Sequence, residues 1–380
     1  MDNVVIKDIP ECAENEYKEV AWGIVRPGEK FKPIWINRPK VGDHDVSFEL
    51  KFCGICHSDV HLGLNHLGGS IYPIVPGHEL AGIVTEVGPK VTKVKVGDKV
   101  GVGCMVDSCR DCENCKEGDE QYCLNGNVMT YNGQKKHKGI GGNPKTQTFG
   151  GYTKSYTVTE HFCIKLPDNL DLSKAGPLLC AGITMYEPLR VWGATKGKKM
   201  TIGIIGVGGL GTMGIKLAKA LGHTVVAISR SADKEAMSKE KGADRFVVST
   251  NAEQMAGETK KMDLILNTIS ANHDCNIYLP LLRKDGTLVQ LGAAGQPHQI
   301  SQIPLMFSRT SLAGSLIGGV KPTEEMIEFC SKHQIYPDVE MVDASGINKA
   351  WESLANNKDG VRYVIDIEKS LQNKDFLPAL

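Results

Sequence analysis

The chain has 380 residues, too many for one simple core, so two domains are expected. Its 44 Lys and Arg balance 44 Asp and Glu, which excludes the strong positive field that nucleic-acid or membrane-surface binding would use. The longest apolar runs, 200–205 and 312–317, fall far short of a membrane span. The opening Met1-Asp2-Asn3, with acids scattered behind it, lacks the blocks of a signal peptide, so a cytoplasmic protein is expected.

From the N-terminus to about residue 170 the chain reads as short strands and turns. The run 46–52 alternates with period two, 81–87 stops at Gly88-Pro89, and 98–102 follows the Gly97 turn. This spacing predicts a β-barrel-like domain. The polar, Gly- and Lys-rich run 133–148 reads as an exposed loop. From about Leu178 the rhythm changes to strands at 200–205, 223–228, 246–249, 264–269 and 287–291, with helices at 212–221 and 234–241 between them. Such alternation predicts a parallel, doubly wound sheet. A helix at 323–333 and a last strand at 363–367 follow, and that tail is expected to return to the first domain.

Of the 12 cysteines, most lie between Cys53 and Cys123, and in a reducing compartment they read as metal ligands or catalytic thiols rather than disulfides. The spacing Cys109-x2-Cys112-x2-Cys115-x7-Cys123 suits a tetrahedron of four sulfurs around Zn²⁺. With every position filled, such a zinc is structural. A second group is dispersed: Cys53-Gly54-Ile55-Cys56-His57-Ser58-Asp59-Val60-His61, then Gly77-His78-Glu79, and far downstream Leu178-Leu179-Cys180-Ala181-Gly182. Spacing alone leaves open whether Cys53 and Cys56 are a redox pair, and whether His78 is a core histidine or a ligand.

Gly206-Val207-Gly208-Gly209-Leu210-Gly211 follows an apolar strand and opens a helix, the context in which a Gly-rich turn cradles a dinucleotide pyrophosphate. The next strand ends in Ser229-Arg230-Ser231, with Lys234 one turn on. No acid stands at the strand end to hold a ribose 2′-hydroxyl, whereas hydroxyls and two cations suit a 2′-phosphate. NADP(H) is the expected cofactor.

The strings CGICHSD, GHE, the four-cysteine lobe, LLCAG and GVGGLG, in that order, resemble the zinc-containing medium-chain alcohol dehydrogenases over essentially the whole chain. The likeness is greatest to the cinnamyl alcohol dehydrogenase-like branch of broad-specificity aldehyde reductases. It implies an α/β protein with a GroES-like β-barrel catalytic domain (1–178 and 315–380) and a Rossmann doubly wound parallel-sheet domain (179–314). It implies two zincs per subunit, the catalytic one held by Cys56, His78 and Cys180 with Glu79 as an alternative fourth ligand. Asp59 would orient His78, while Ser58 and His61 would relay the proton. Thr184, Ser270 and Gly292 would border the cofactor, and the segment Leu316-Ile317-Gly318 would follow a strand that continues the sheet across a homodimer.

The implied activity is interconversion of primary alcohols and aldehydes, without nucleic-acid or membrane partners. Lignin-pathway members carry a tryptophan where this chain has Met129, before Thr130-Tyr131-Asn132. Met suits a permissive apolar pocket, so broad specificity including aromatic aldehydes is expected. The competing readings are a polyol dehydrogenase, a C=C or C=N reductase on the same scaffold, and a non-catalytic binding protein.

Overall fold

A computed structural model of the chain describes residues 5–6, 9, 11–66, 68–134, 147–293, 296–355, 361–374 and 377. The backbone forms two compact units, Met1–Cys180 with Gly318–Ser331 and Tyr336–Leu380, and Ala181–Ile317 with Lys332–Ile335.

The first unit is organised around the ten-residue strand Asp45–Gly54. Its alternating Val46, Phe48 and Leu50 are fully buried, and it pairs antiparallel with Leu80–Val87, Ser155–Thr159 and Arg362–Asp366. The sheet runs Ile164–Lys165, Lys99–Val102, Leu80–Val87, Asp45–Gly54, Arg362–Asp366, Val339–Val342. Register shifts between Ser47 and Phe48, and between Leu50 and Phe52, mark bulges, which bend a strand and help a sheet curl. This curled sheet is the β-domain that the strand spacing predicts. The last strand begins at Arg362, one residue before the expected start, and ends at Asp366 because Asp366 caps the helix Ile367–Gln372 through Lys369 N–H. Most of the expected exposed loop, 135–146, lies outside the described residues, while Gln134 and Gln147 meet at its ends as an isolated bridge.

The second unit is the Rossmann fold. Six parallel strands run Arg245–Val248, Thr224–Ser229, Thr201–Ile205, Met262–Asn267, Leu282–Gln290, Ser311–Gly314. Ile205, Val226, Ile228, Val247, Ile265 and Leu288 share one buried cluster. The helix after the first of these strands in chain order starts at Gly209, earlier than expected, since the glycines form its first turn. The expected helix 234–241 splits into a 3₁₀ turn, Ala232–Lys234, and an α-helix, Glu235–Glu240. Among the described residues no helix is long and apolar enough to cross a membrane.

Candidate active site and zinc centres

The buried strand Asp45–Gly54 delivers the chain to Cys56, which stands just before the helix His57–Gly63. Asp59, fully buried in that helix, accepts from Cys56 N (2.8 Å), Gly77 N (3.2 Å) and Tyr152 Oη (3.2 Å). Its Oδ1 lies 3.0 Å from His78 Nδ1. A carboxylate held in this way accepts the hydrogen bond from Nδ1–H, keeps the proton on Nδ1 and leaves the Nε2 lone pair free for a ligand. That Nε2 lies 3.2 Å from Cys180 Sγ, which lies 3.8 Å from Cys56 Sγ. Cys180 sits in a π-helical turn, Leu178–Gly182, an irregularity frequent at functional sites.

Donor atoms of Cys56, His78, Glu79 and Cys180 all fall within 4.8 Å of one another, and all four residues are buried. Burial lowers the His78 pKa, but the charge and hydrogen bond of Asp59 reverse this and carry it well above the usual histidine range. The Cys56 thiol is held well below the ordinary value, chiefly by its hydrogen bond with Cys180 and against the cost of burial, with Arg362 and His78 adding to the effect. Two thiols and an imidazole converging in a buried site are a donor set that fits Zn²⁺. Cys53 is absent from the cluster. Its side chain is buried in the barrel core, and burial pushes its thiol up.

Glu79 is more constrained than the sequence suggests. One oxygen pairs with the Arg362 guanidinium, and the other has no hydrogen-bond partner among the described residues. Burial raises its pKa to about 7, against the pull of Arg362. A Cβ on Gly54 would lie 1.9 Å from Glu79 Oε2, so the small residue between the two cysteines makes room for this carboxylate. Arg362 was not singled out by the motifs. The available signal was a cation at the head of the apolar run Tyr363-Val364-Ile365, since a buried charge needs a partner.

Ser58 is exposed at the start of the same helix, its Oγ 3.7 Å from Cys56 Sγ. His61 lies one turn on, its ring 4.8 Å from that of His57 and its Nδ1 3.2 Å from His66 Nδ1. Burial, together with both neighbouring imidazoles, pushes the His61 pKa down.

The four-cysteine lobe also closes. Cys109, Cys112, Cys115 and Cys123 bring their sulfurs within 4.8 Å of one another around the short helix Glu113–Glu117, which Gly118 ends at φ 86°. Backbone N–H groups of Cys109, Cys112 and Leu124 point at the sulfurs of Cys123, Cys109 and Cys112 respectively (3.4–3.5 Å). The Cys109 thiol is lowered to about 5, mainly by Asn125 and then by the backbone N–H groups. Sulfurs supplied with donors are prepared to be thiolate ligands. Cys112→Ser should therefore remove one zinc per subunit and lower Tm by about 6–12 °C, taking about 3 kcal/mol for opening a clip on a 15-residue loop. Metal analysis beside differential scanning calorimetry checks this.

In the second unit, Gly206 turns at φ 87° directly after Thr201–Ile205. A Cβ on Gly211 would lie 1.9 Å from Gly206 O, so helix and strand could not close up around a larger residue. Gly208 has nothing within 4 Å of such a position, leaving space beside the N-terminus of the 12-residue helix Gly209–Ala220. No side chain caps that end, so the early N–H groups of Gly209 and Leu210 lack intrahelical partners, and such donors at a helix N-terminus fit a pyrophosphate. Ser229 ends its strand, Arg230 and Ser231 are exposed beyond it, and Lys234 is half-buried in the 3₁₀ turn. Thr268 Oγ1 donates to Ile205 O (2.8 Å), and a Cβ on Gly292 would meet Ile269 O at 2.3 Å. The fold thus gathers Gly206, Ser270 and Gly292 along one edge of the sheet. Thr184 is half-buried in the helix Ile183–Val191.

Residues 42–168 match the Alcohol dehydrogenase GroES-like domain, and 209–332 match the Zinc-binding dehydrogenase domain. The NADP-dependent alcohol dehydrogenase C 1 of Mycolicibacterium smegmatis is 47% identical, over 91% of this chain and 97% of its own. The chain belongs to the zinc-binding alcohol dehydrogenase family. A cinnamyl alcohol dehydrogenase of Sorghum bicolor superposes with a TM-score of 0.88 at 38% identity, covering 93% of this chain and 99% of its own. The enzyme of that class from Helicobacter pylori, solved with NADP(H), gives 0.85 at 37% identity, with 93% and 99% covered. This member of the family is accordingly a zinc-binding oxidoreductase of alcohols and aldehydes.

Proposed function

We propose that the enzyme is a broad-specificity aldehyde reductase of the cytoplasm, reducing primary aldehydes, aromatic and cinnamyl types among them, with NADPH. The observation that carries this reading is the buried convergence of Cys56, His78 and Cys180 with Asp59 gripping the far side of the imidazole. Zinc held by these three residues would supply Lewis acidity toward the substrate oxygen, and NADP(H) the hydride. Asp59 keeps the His78 ring in one tautomer and orientation. Glu79, drawn aside by Arg362, is the reserve ligand. Ser58 presents a hydroxyl that holds or yields the substrate proton, and His61 exchanges it with solvent. The second zinc, at Cys109, Cys112, Cys115 and Cys123, is structural.

On the cofactor side, the N–H groups at Gly206, Gly208, Gly209, Leu210 and Gly211 hold the pyrophosphate, and Ser229, Arg230, Ser231 and Lys234 hold the 2′-phosphate. Thr184, Ser270 and Gly292 border the rest of the dinucleotide. Met129, 38% exposed, contributes an adaptable apolar surface to substrate selection. Twelve free cysteines, seven of them grouped as donors, suit a reducing compartment. A homodimer is supported by the outermost strand Ser311–Gly314, whose exposed Leu312 and the nearby exposed Leu316 would be covered by a two-fold copy continuing the sheet.

The test is kcat/KM for aliphatic, benzylic and cinnamyl aldehydes with NADPH and NADH. All three classes should be turned over, with NADPH preferred. In Arg230→Ala, kcat/KM for NADPH should fall about 10–100-fold while that for NADH changes little, as expected for losing a charge-assisted bond to phosphate. A clear preference of the wild type for NADH would refute the 2′-phosphate site.

A further inference from the structure

A third group of metal-type donors lies in the Rossmann unit, apart from both zinc centres. His273 and Cys275 follow the strand Met262–Asn267, and His298 follows the neighbouring strand Leu282–Gln290. Cys275 Sγ is 3.4 Å from His273 Nε2 and 2.9 Å from His298 Nδ1, and the three donor atoms fall within 4.8 Å of one another. The two imidazole rings meet edge to face, centroids 4.8 Å apart.

The hydrogen bonding around the group prepares it for a ligand. His273 Nδ1 lies 2.7 Å from Ala271 O, which assigns the ring proton to Nδ1 and leaves the Nε2 lone pair directed at the sulfur. Asn267, fully buried, accepts from Ile269 N–H through Oδ1 (3.2 Å), and this orients its amide. Its Nδ2 then faces three acceptors, His273 Nε2 (2.8 Å), Gln290 Oε1 (2.9 Å) and Cys275 Sγ (3.7 Å). An amide carries only two N–H protons, so one acceptor is always left short. A cation on His273 Nε2 would use that lone pair, leaving the two N–H groups of Asn267 for Gln290 Oε1 and the Cys275 sulfur, which still accepts as a bound thiolate. His298 Nε2 is buried with no hydrogen-bond partner among the described residues.

We propose that His273, Cys275 and His298 form a third metal site, selective for a thiophilic d¹⁰ cation, Zn²⁺ or Cu⁺. One sulfur and two imidazoles are too soft for Mg²⁺ or Ca²⁺ and supply three of the four corners of a zinc tetrahedron. On binding, the Cys275 thiol gives its proton to solvent and its sulfur bonds the metal, with no change of oxidation state. The occupied site would tie the loop after Asn267 to the loop after Gln290. These are the loops carrying Ser270 and Gly292, so, on the cofactor reading above, the metal would brace the dinucleotide edge of the sheet.

The experiment is zinc stoichiometry by mass spectrometry of the full chain after incubation with ZnCl₂ and desalting, repeated with Cu⁺ under reducing conditions. Wild type should retain about one equivalent per subunit more than Cys275→Ser or His298→Gln. The half-buried loop position of His298 guards against a result caused by misfolding. Equal metal content in wild type and both variants, with either cation, would overturn the proposal. The difference is read without any activity, and it survives even if the two other zinc assignments fail, because those sites are the same in all three proteins.

Discussion

Cys56→Ala is expected to lose aldehyde reduction by about 10³-fold or more in kcat, and to carry one zinc fewer per subunit. The size follows from the several kcal/mol that a Lewis acid contributes to a polarised carbonyl, at 1.36 kcal/mol per factor of ten. Removing one sulfur also leaves His78, Cys180 and a Glu79 whose other oxygen is already paired with Arg362, a poorer donor set for zinc. Cys53→Ala is the matched control. Its thiol lies three residues away but in the barrel core, so both zincs and most of the activity should remain. Zinc content and kcat measured on the two variants decide the matter, and an active, fully zinc-loaded Cys56→Ala enzyme would refute the site.

The second large effect concerns Arg362. Its guanidinium is buried against Glu79, and Glu79, Cys56 and Cys180 all favour its charged form against the cost of burial. Arg362→Met leaves a fully buried carboxyl without its cation, a change that costs about 3–5 kcal/mol and lowers Tm by about 10 °C. It also removes a positive charge that helps keep Cys56 ionised, so a chelator should strip the catalytic zinc faster. Thermal unfolding and zinc release to a colorimetric chelator read the two effects separately. Adding Glu79→Gln should recover part of the stability, because the destabilisation comes from the orphaned carboxyl; a double variant no more stable than Arg362→Met would assign the loss to packing instead.

Much of the fold was legible in the residues because it rests on local periodicity. Alternation at 46–52 became Asp45–Gly54, and the strand–glycine–helix order at 200–221 became Thr201–Ile205 and Gly209–Ala220. The convergence of the four-cysteine lobe was legible for the same reason: its sulfurs lie within 15 residues, so spacing implies proximity. Boundaries shifted where a side chain outside the pattern intervened, as when Asp366 capped a helix and ended its strand.

What the sequence by itself determined is therefore the donor types, the order of the domains and the compact lobe. Tertiary structure decided what depends on long-range closure. Cys180 lies 124 residues from Cys56, and only the folded barrel sets their sulfurs 3.8 Å apart. Folding also turns Cys53 into the core, pairs Arg362 with Glu79 across 283 residues, and brings His298 to Cys275 from the neighbouring strand. No periodicity encodes such meetings, because each depends on which strands become neighbours and which face of each is buried.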